Sequence, residues 1–333
     1  MTQPLVSVIV PAYNAAKRVA GTLRSIIEQD YENLEIIVVN DASTDDTLNV
    51  AEQTLKTSGR AYKVITHDKN SGESASRNTG IDASAGEFIC FCDGDDLFER
   101  NSVSILWELI QRYNCEISFG STLDRFEDGR PDEPHPLTSD LTQPITGEQA
   151  AFMKIFKRGF MTHVCAMMYR KNFLNEKSLR FTPGVTRGAD IEFAIKSLCR
   201  AERVCFTSEP VYVYVYHADM GTVKDNDTPE KLRRNYFSVL NVNIRLAEYL
   251  TEHMRDTKLK FFVENSFVPE VALKRLTACA KFHDHEQFTA ILNEPGLKKI
   301  LLRSFKTLFF KPEIFLKSLA ILIAPGAYYK LRQ

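Results

Sequence analysis

The sequence predicts an α/β fold, a mostly parallel sheet with helices on both faces, followed by a helical C-terminal region. Three observations carry this reading. Strand-length apolar runs alternate four times with segments of helical spacing over the first hundred or so residues. The runs are apolar on both faces, as expected of strands covered by helices above and below. Beyond about residue 224 the strand signals stop and long helical patterns take over.

Taken in order, Val6 to Val10 reads as a short buried strand, and Ala15 to Gln29 as a helix with Val19, Leu23, Ile26 and Ile27 on one face. Leu34 to Val39 is a second strand. Ser43 or Thr44 offers an N-cap for a helix from about Asp45 to Lys56, with acids in the first turn where the helix dipole favours them. Tyr62 to Thr66 is a third strand, Glu73 to Ala83 a third helix and Phe88 to Cys92 a fourth strand. A helix from Ser102 to Arg112 and a strand near Ile117 to Phe119 follow. Asp124 to Pro136 (DRFEDGRPDEPHP) is polar and rich in turn residues, hence an exposed hairpin or loop. Gly147 to Lys157 then reads as helix, Val164 to Tyr169 as strand, Ala189 to Arg200 as helix and Val211 to Tyr216 as an alternating strand. The last part is helical, Pro229 to Glu252 and Lys258 to Lys281, then shorter pieces broken by Pro295, Pro312 and Pro325. This divides the chain into residues 1–224 and 225–333.

With 333 residues, 44% apolar and 26% charged, the chain has the composition of an ordinary globular protein with room for a substantial core. A net charge of -1 and the lack of a basic, aromatic-lined motif argue against nucleic acid as a partner. The seven Cys lie mostly in apolar runs, without CxxC pairs or zinc-type spacing, which fits a reduced, cytoplasmic setting. The opening MTQPLVSVIVPAYN lacks the basic region and long apolar run of a signal peptide.

In a parallel sheet, ligands bind beyond the carboxyl ends of the strands. Those ends carry Pro11, Tyr13 and Asn14, then Asn40 and Asp41, then Asp68 and Asn70, and finally Asp93, Asp95 and Asp96 in ICFCDGDD. Three like charges at one strand end repel and raise one another's pKa unless a cation neutralises them. Carboxylates are hard ligands suited to Mg²⁺ or Mn²⁺, which often complete their shells with substrate phosphates and water. A solvated turn is the plain alternative. An EF-hand is excluded by Leu97 and Phe98 at positions that need a ligand and a glycine. A phosphatase with an aspartyl nucleophile also places DxD after a strand, but normally the first strand rather than the fourth.

The segments SVIVPAYN (Ser7 to Asn14), EIIVVNDASTDDT (Glu35 to Thr47), NSGESASRNTGIDASAGEFICFCDGDDLF (Asn70 to Phe98) and RGADIEFAIK (Arg187 to Lys196) resemble, in order, the blocks of a family 2 glycosyltransferase with the GT-A fold. With PVYVYVYH (Pro210 to His217), the resemblance covers about the first 220 residues. It implies that Pro11, Tyr13 and Asn14 pack on the nucleotide base and that Asp41 accepts a hydrogen bond from the uracil edge. Arg77 would lie near the diphosphate or the Asp cluster, Asp93 near the ribose, and Asn70 and Gly94 among the donor contacts. Asp95 would be the metal ligand, with His217 able to approach the metal, and Asp190 the base that takes the acceptor's proton. Each has a plainer alternative: a turn role for Asp41, a salt bridge for Arg77, a first-turn acid for Asp190 and a structural histidine for His217. His283 and His285 read as solvated.

Departures from the family pattern are Asn40 for an acid, Ala42 for a glycine, Ala189 for an acid and Val215 for Arg. They weaken any inference about the particular donor or acceptor. From Lys298 to Gln333 the tail holds eight Lys or Arg against one Glu, interleaved with Leu, Ile, Phe and Tyr. Its longest uncharged run, Ser318 to Tyr329, is too short to span a bilayer and is broken by Pro325. It predicts an amphipathic segment lying on a membrane surface, which would place the protein at the inner face of the cell membrane, or a helix packed on protein.

The resulting expectation is an inverting, Mn²⁺- or Mg²⁺-dependent transferase acting from a nucleotide-sugar donor, with UDP as the expected nucleotide, onto a glycan or lipid-linked acceptor. The alternatives are a non-catalytic nucleotide-sugar or glycan-binding module and, third, the phosphatase.

Overall fold

The computed structural model describes residues 3–137, 143–156, 163–218, 228–307 and 311–332. Contacts group the chain into two compact units, Met1–Met220 and Gly221–Gln333. The expected boundary near residue 224 lies outside the described residues.

In the first unit a nine-stranded sheet grows outward from β1 (Val6–Ala12), which is buried along its whole length. β1 pairs in parallel with β2 (Leu34–Asn40) on one side and β4 (Phe88–Phe91) on the other, and β2 pairs in parallel with β3 (Ala61–Thr66). β3 is the edge, which explains why it is mostly exposed where the sequence suggested burial on both faces. Helices α1 (Val19–Ile27), α2 (Thr47–Lys56) and α3 (Glu73–Ala83) make the crossovers. The connections from β1 and into β4 leave in opposite directions, so a topological switch point lies between these neighbours, and a crevice opens beyond their carboxyl ends.

Past β4 the sheet becomes mixed. Its order continues β4, β8 (Met167–Arg170), β6 (Ile117–Phe126), β9 (Val204–Tyr216), β5 (Leu97–Phe98), with β7 (Glu133–His135) on the outer end of β6. β8 is antiparallel to both β4 and β6, while the long β9 runs parallel to β6 and antiparallel to β5. Helices α4 (Ser102–Tyr113), α5 (Gly147–Phe156), α6 (Lys171–Glu176) and α7 (Ala189–Arg200) complete the unit. β6 and β7 form the hairpin expected from the polar stretch after Asp124.

Several boundaries moved for physical reasons. The strand expected at Val164 begins as a 3₁₀ turn, Val164–Ala166, with the His163 ring accepting from the Cys165 N–H. Ser43 and Thr44 do not cap α2. Both are used to tie the loop after β2 to Asn14, and Asp45 accepts from Thr47 N–H instead. β9 begins seven residues earlier than its alternating segment, because its first half pairs with β6 before a register shift that follows Phe119. All seven Cys are buried and free.

The second unit is helical, with Pro229–His253 capped by Thr228 as a long first helix. The single helix expected over Lys258 to Lys281 is divided: Thr257–Phe262, a π turn at Val263–Phe267, then Val268–Lys281. Helices His285–Leu292, Leu297–Arg303, Pro312–Ile323 and Pro325–Arg332 pack a core that includes Leu276, Phe288, Leu301, Ile314, Ile321 and Tyr329. Among the described residues no single helix is long and apolar enough to cross a membrane. The last two pass that test only as a pair, bent by 120°.

Close packing of α3 on β1 depends on Gly80, where an added Cβ would lie 2.2 Å from Ile9 Cγ2. Ile9 is β-branched and fully buried, so it has little room to yield. Gly80→Ala should therefore destabilise the protein by about 1–3 kcal/mol despite alanine's better helix propensity, measured as a lower urea midpoint at unchanged slope.

Candidate active site

The crevice beyond β1 and β4 is floored by an ion pair. Arg77, on the inward face of α3 and 1% exposed, donates from Nη2 to Asp93 Oδ1 at 2.6 Å and also pairs with Glu73 one turn earlier. Its guanidinium lies 5.1 Å from the centre of the Phe181 ring. Phe181 stacks on Phe193 at 3.9 Å and meets Phe91 edge-on, giving the cation an aromatic bed. Asn78, one residue after Arg77, clamps that bed by exchanging two 2.9 Å hydrogen bonds with the backbone of Phe181. Burial pushes the Asp93 carboxyl up, but the Arg77 guanidinium and His163 together hold it below the usual carboxylate range.

The three carboxylates of the DGDD loop have different surroundings. Asp96 is buried and turned inward, accepting from Tyr212 Oη at 2.5 Å and from Val215 N–H at 2.7 Å, so it braces the loop on β9. Burial and the charges of Asp93 and Asp95 push its carboxyl well up. Asp95 is 44% exposed, with His217 Nε2 3.1 Å from its Oδ2. Burial and Asp93 raise its pKa, and His217 partly offsets them. Gly94 sits where a Cβ would lie 3.1 Å from Pro11 O, which keeps the loop close to the end of β1.

Asp190 lies in the first turn of α7, with its Oδ2 3.7 Å from His163 Nε2. One ligand atom each from Asp93, His163 and Cys165 falls within 4.8 Å of the others. His163 therefore lies near both Asp190 and the Asp93 carboxylate. Lys154 of α5 is pushed down to about 8 by burial while Asp190 opposes the shift.

On the side expected to hold the base, Tyr13 is 51% exposed at the rim, and Asn14 accepts from Thr44 N–H at 2.8 Å. Asp41 is buried, and its carboxylate accepts from Ser71 N–H at 2.9 Å and Gly72 N–H at 2.8 Å, with His67 Nδ1 at 2.7 Å. Asp41 thus ties down the loop before α3, and a base edge would have to share it with these three partners. Asn70 is exposed in that loop. Asp93, Asp95, Gly94, Pro11, Arg77, Asp190 and His217 are brought to one end of the sheet, with Tyr13, Asn14 and Asp41 beside them. The sequence reading did not single out His163, Tyr212, Phe181 or Asn78. The nearest signal was a lone histidine just before an apolar strand, which has no pattern of its own.

The donor set suits a hard divalent cation. Asp95 is the exposed carboxylate of a crowded group, and among the described residues the buried His217 Nδ1 has no hydrogen-bond partner. The Asp93, His163 and Cys165 group suits it less, because Arg77 already neutralises Asp93 and burial with the Asp93 charge raises the Cys165 thiol well above its ordinary value.

An α/β sheet with a carboxylate-lined switch point, followed by a helical region, defines a GT-A type of architecture. The family model for glycosyl transferase family 2 matches residues 7–176, and the chain belongs to this family of glycosyltransferases. It is 32% identical over 213 residues to EpsJ of Bacillus subtilis (strain 168), an uncharacterized glycosyltransferase, a match covering 63% of this chain and 61% of EpsJ. It is also 32% identical over 201 residues to TuaG of the same organism, a candidate teichuronic acid biosynthesis glycosyltransferase, covering 50% of this chain and 79% of TuaG. Among solved structures, Staphylococcus aureus TarS 1-349 in complex with UDP-GlcNAc has a TM-score of 0.58 at 20% identity, covering 86% of this chain and 90% of that one.

Two stability outcomes follow from this geometry. Arg77→Met leaves Asp93 without its cation and should cost about 3 kcal/mol in urea unfolding, part of which Arg77→Met/Asp93→Asn should recover. Ala42, where the family pattern has glycine, sits at φ 54°. Ala42→Gly relieves that left-handed strain and should raise stability by roughly 0.5–1 kcal/mol after the added unfolded-state entropy is counted, seen as a higher Tm.

Proposed function

We propose that the chain is a metal-dependent, inverting glycosyltransferase that moves a sugar from a uridine diphosphate donor to a hydroxyl of a glycan or lipid-linked saccharide in cell-surface polysaccharide synthesis. The observation that carries this reading is the gathering at one crevice of three carboxylates with different surroundings: Asp93 on Arg77, Asp95 beside His217, and Asp190 across His163. Groups of one type whose environments differ take different tasks. The UDP-GlcNAc bound by TarS supports a uridine donor, and the name of TuaG supports a polysaccharide setting.

In this reading Asp95 and His217 hold Mn²⁺ or Mg²⁺, which when bound supplies charge neutralisation for the departing diphosphate. Asp93, kept ionised by Arg77, faces the ribose, while Tyr13, Asn14 and Asp41 border the base, with Asn70 and Gly94 lining the donor. Asp190 accepts the acceptor's hydroxyl proton as that oxygen bonds to the anomeric carbon. The bond from that carbon to the diphosphate oxygen breaks, its electron pair leaves with the nucleoside diphosphate, and configuration inverts.

Residues 1–224 form the catalytic domain, and residues 225–333 carry the basic tail. Exposed Leu316, Ile323 and Leu331 among its Lys and Arg residues support contact with a membrane surface, in keeping with a reading of the enzyme as peripheral at the inner face of the cell membrane.

Thermal shift with UDP-GlcNAc, UDP-glucose, UDP-galactose and GDP-mannose, each with and without Mn²⁺, tests the donor. A true donor at about 100 times its Kd should add roughly 2.7 kcal/mol of stability. Asp95→Ala should abolish metal-dependent release of nucleoside diphosphate. Asp190→Asn should keep the donor-induced shift while losing at least 100-fold in transfer. Stabilisation by donor without any nucleoside diphosphate release, across many acceptors, would instead mark a binding module.

A further inference from the structure

We infer that His163 is a positioning residue: a neutral imidazole whose Nε2–H is aimed at Asp190 and whose ring, stacked on Tyr212, fixes the proposed base relative to the DGDD loop. The inference rests on Asp190 being that base. Three observations carry it. First, His163 Nδ1 accepts from the Cys165 backbone N–H at 3.3 Å, so in the neutral ring the proton is on Nε2. Second, Nε2 lies 3.7 Å from Asp190 Oδ2, a separation that a small rotation of the Asp190 carboxylate, not of the stacked ring, closes to a hydrogen bond, as such contacts tighten in the reacting complex. Third, the ring lies flat on Tyr212, with centroids 5.3 Å apart and planes 7° apart, and the Tyr212 hydroxyl donates to Asp96 in the carboxylate loop.

The chain of contacts thus runs from the acceptor side to the donor side through two rigid rings. Asp190, His163, Tyr212 and Asp96 come from four separate segments, and no covalent neighbour sets their spacing. A flat imidazole on a buried tyrosine has little freedom to turn, so it sets both the height and the direction of the Asp190 carboxylate. Among the described residues, the other charged or titratable groups around the ring include Asp93, Arg77, Cys165, Lys154 and Tyr214. Burial favours the neutral imidazole, while Asp190 and Asp93 favour the charged one. His163 is not among the residues proposed to hold the cation, Asp95 and His217, and its role differs from theirs: it acts through Asp190.

Long-range ¹H–¹⁵N NMR of the full-length chain labelled at histidine nitrogen tests the contact without any donor. His163→Gln assigns the signal among the seven histidines. His163 should show the neutral Nε2–H tautomer at pH 7, and Asp190→Asn should lower its apparent pKa, since the lost carboxylate favoured the charged ring. An Nδ1–H tautomer, or a His163 signal indifferent to Asp190→Asn, would overturn the proposal.

Kinetics with UDP-GlcNAc and Mn²⁺, read as UDP release, test the consequence. His163→Ala should lower kcat about 10- to 100-fold with the donor KM within about threefold. His163→Gln, which returns an N–H near the Nε2 position, should recover most of the rate. A Gln variant as inactive as the Ala variant would assign the proton transfer to the imidazole itself and overturn the positioning role. Full activity of Asp190→Asn would remove the base assignment while the NMR coupling stood, so the two failures are distinguishable.

Discussion

The site depends on one buried cation. Arg77 is almost wholly withdrawn from solvent, and a guanidinium in that position is costly unless its charge and most of its donors are met. The protein meets the charge with Asp93 and Glu73, both at Nη2, and with the ring of Phe181 beneath, although among the described residues Nε is left without a hydrogen-bond partner. The pairing works in both directions. Asp93 stays ionised at a buried strand end because Arg77 is there, and Arg77 stays buried because α3 packs tightly enough on β1 and β2 to hold it against that end. The clamp by Asn78 extends the constraint to the segment leading into α7, so the helix that carries Asp190 is approached through a strap anchored beside the ion pair.

Around that fixed point, three adjacent carboxylates avoid the repulsion their sequence implies by facing different partners. Asp93 turns to a cation, Asp96 turns inward to a phenol and a backbone N–H, and Asp95 is left at the surface beside His217. Only one of the three is thereby free to serve a cation from solution. The neighbouring loops follow the same economy: Asn14, Ser43 and Thr44 satisfy one another, and Asp41 gathers two backbone N–H groups and a histidine. The result is a rim whose backbone is largely set before any ligand arrives.

The alternating first four strands were legible because each is a short apolar run with a matched helix, and α3 and α7 were read to the residue. The carboxylate cluster was legible because like charges at a buried strand end demand a reason. What escaped the sequence has physical causes. β5 and α6 are two and six residues long, too short for any period to register. The early half of β9 was missed because its partner, β6, lies about 90 residues away, and pairing across that distance leaves no local mark. His163 and Tyr212 meet only in three dimensions. Ser43 and Thr44 look like caps in sequence, and only the nearness of Asn14 gives them other work.

β9 shows how far such remote pairing reaches. Its thirteen residues run alongside β6, and between Phe119 and Thr122 their pairing slips before alignment resumes at Tyr212. From there valines and tyrosines alternate, so an error of a single residue in that slip would turn Tyr212 and Tyr214 to the opposite face. Asp96 would lose its phenol and its backbone donor together, and the ring on which His163 rests would be gone, although every residue of the crevice was intact. The alignment of the reacting groups is thus set by a count of residues made at the other end of a strand, where an insertion would disarm the site without touching it.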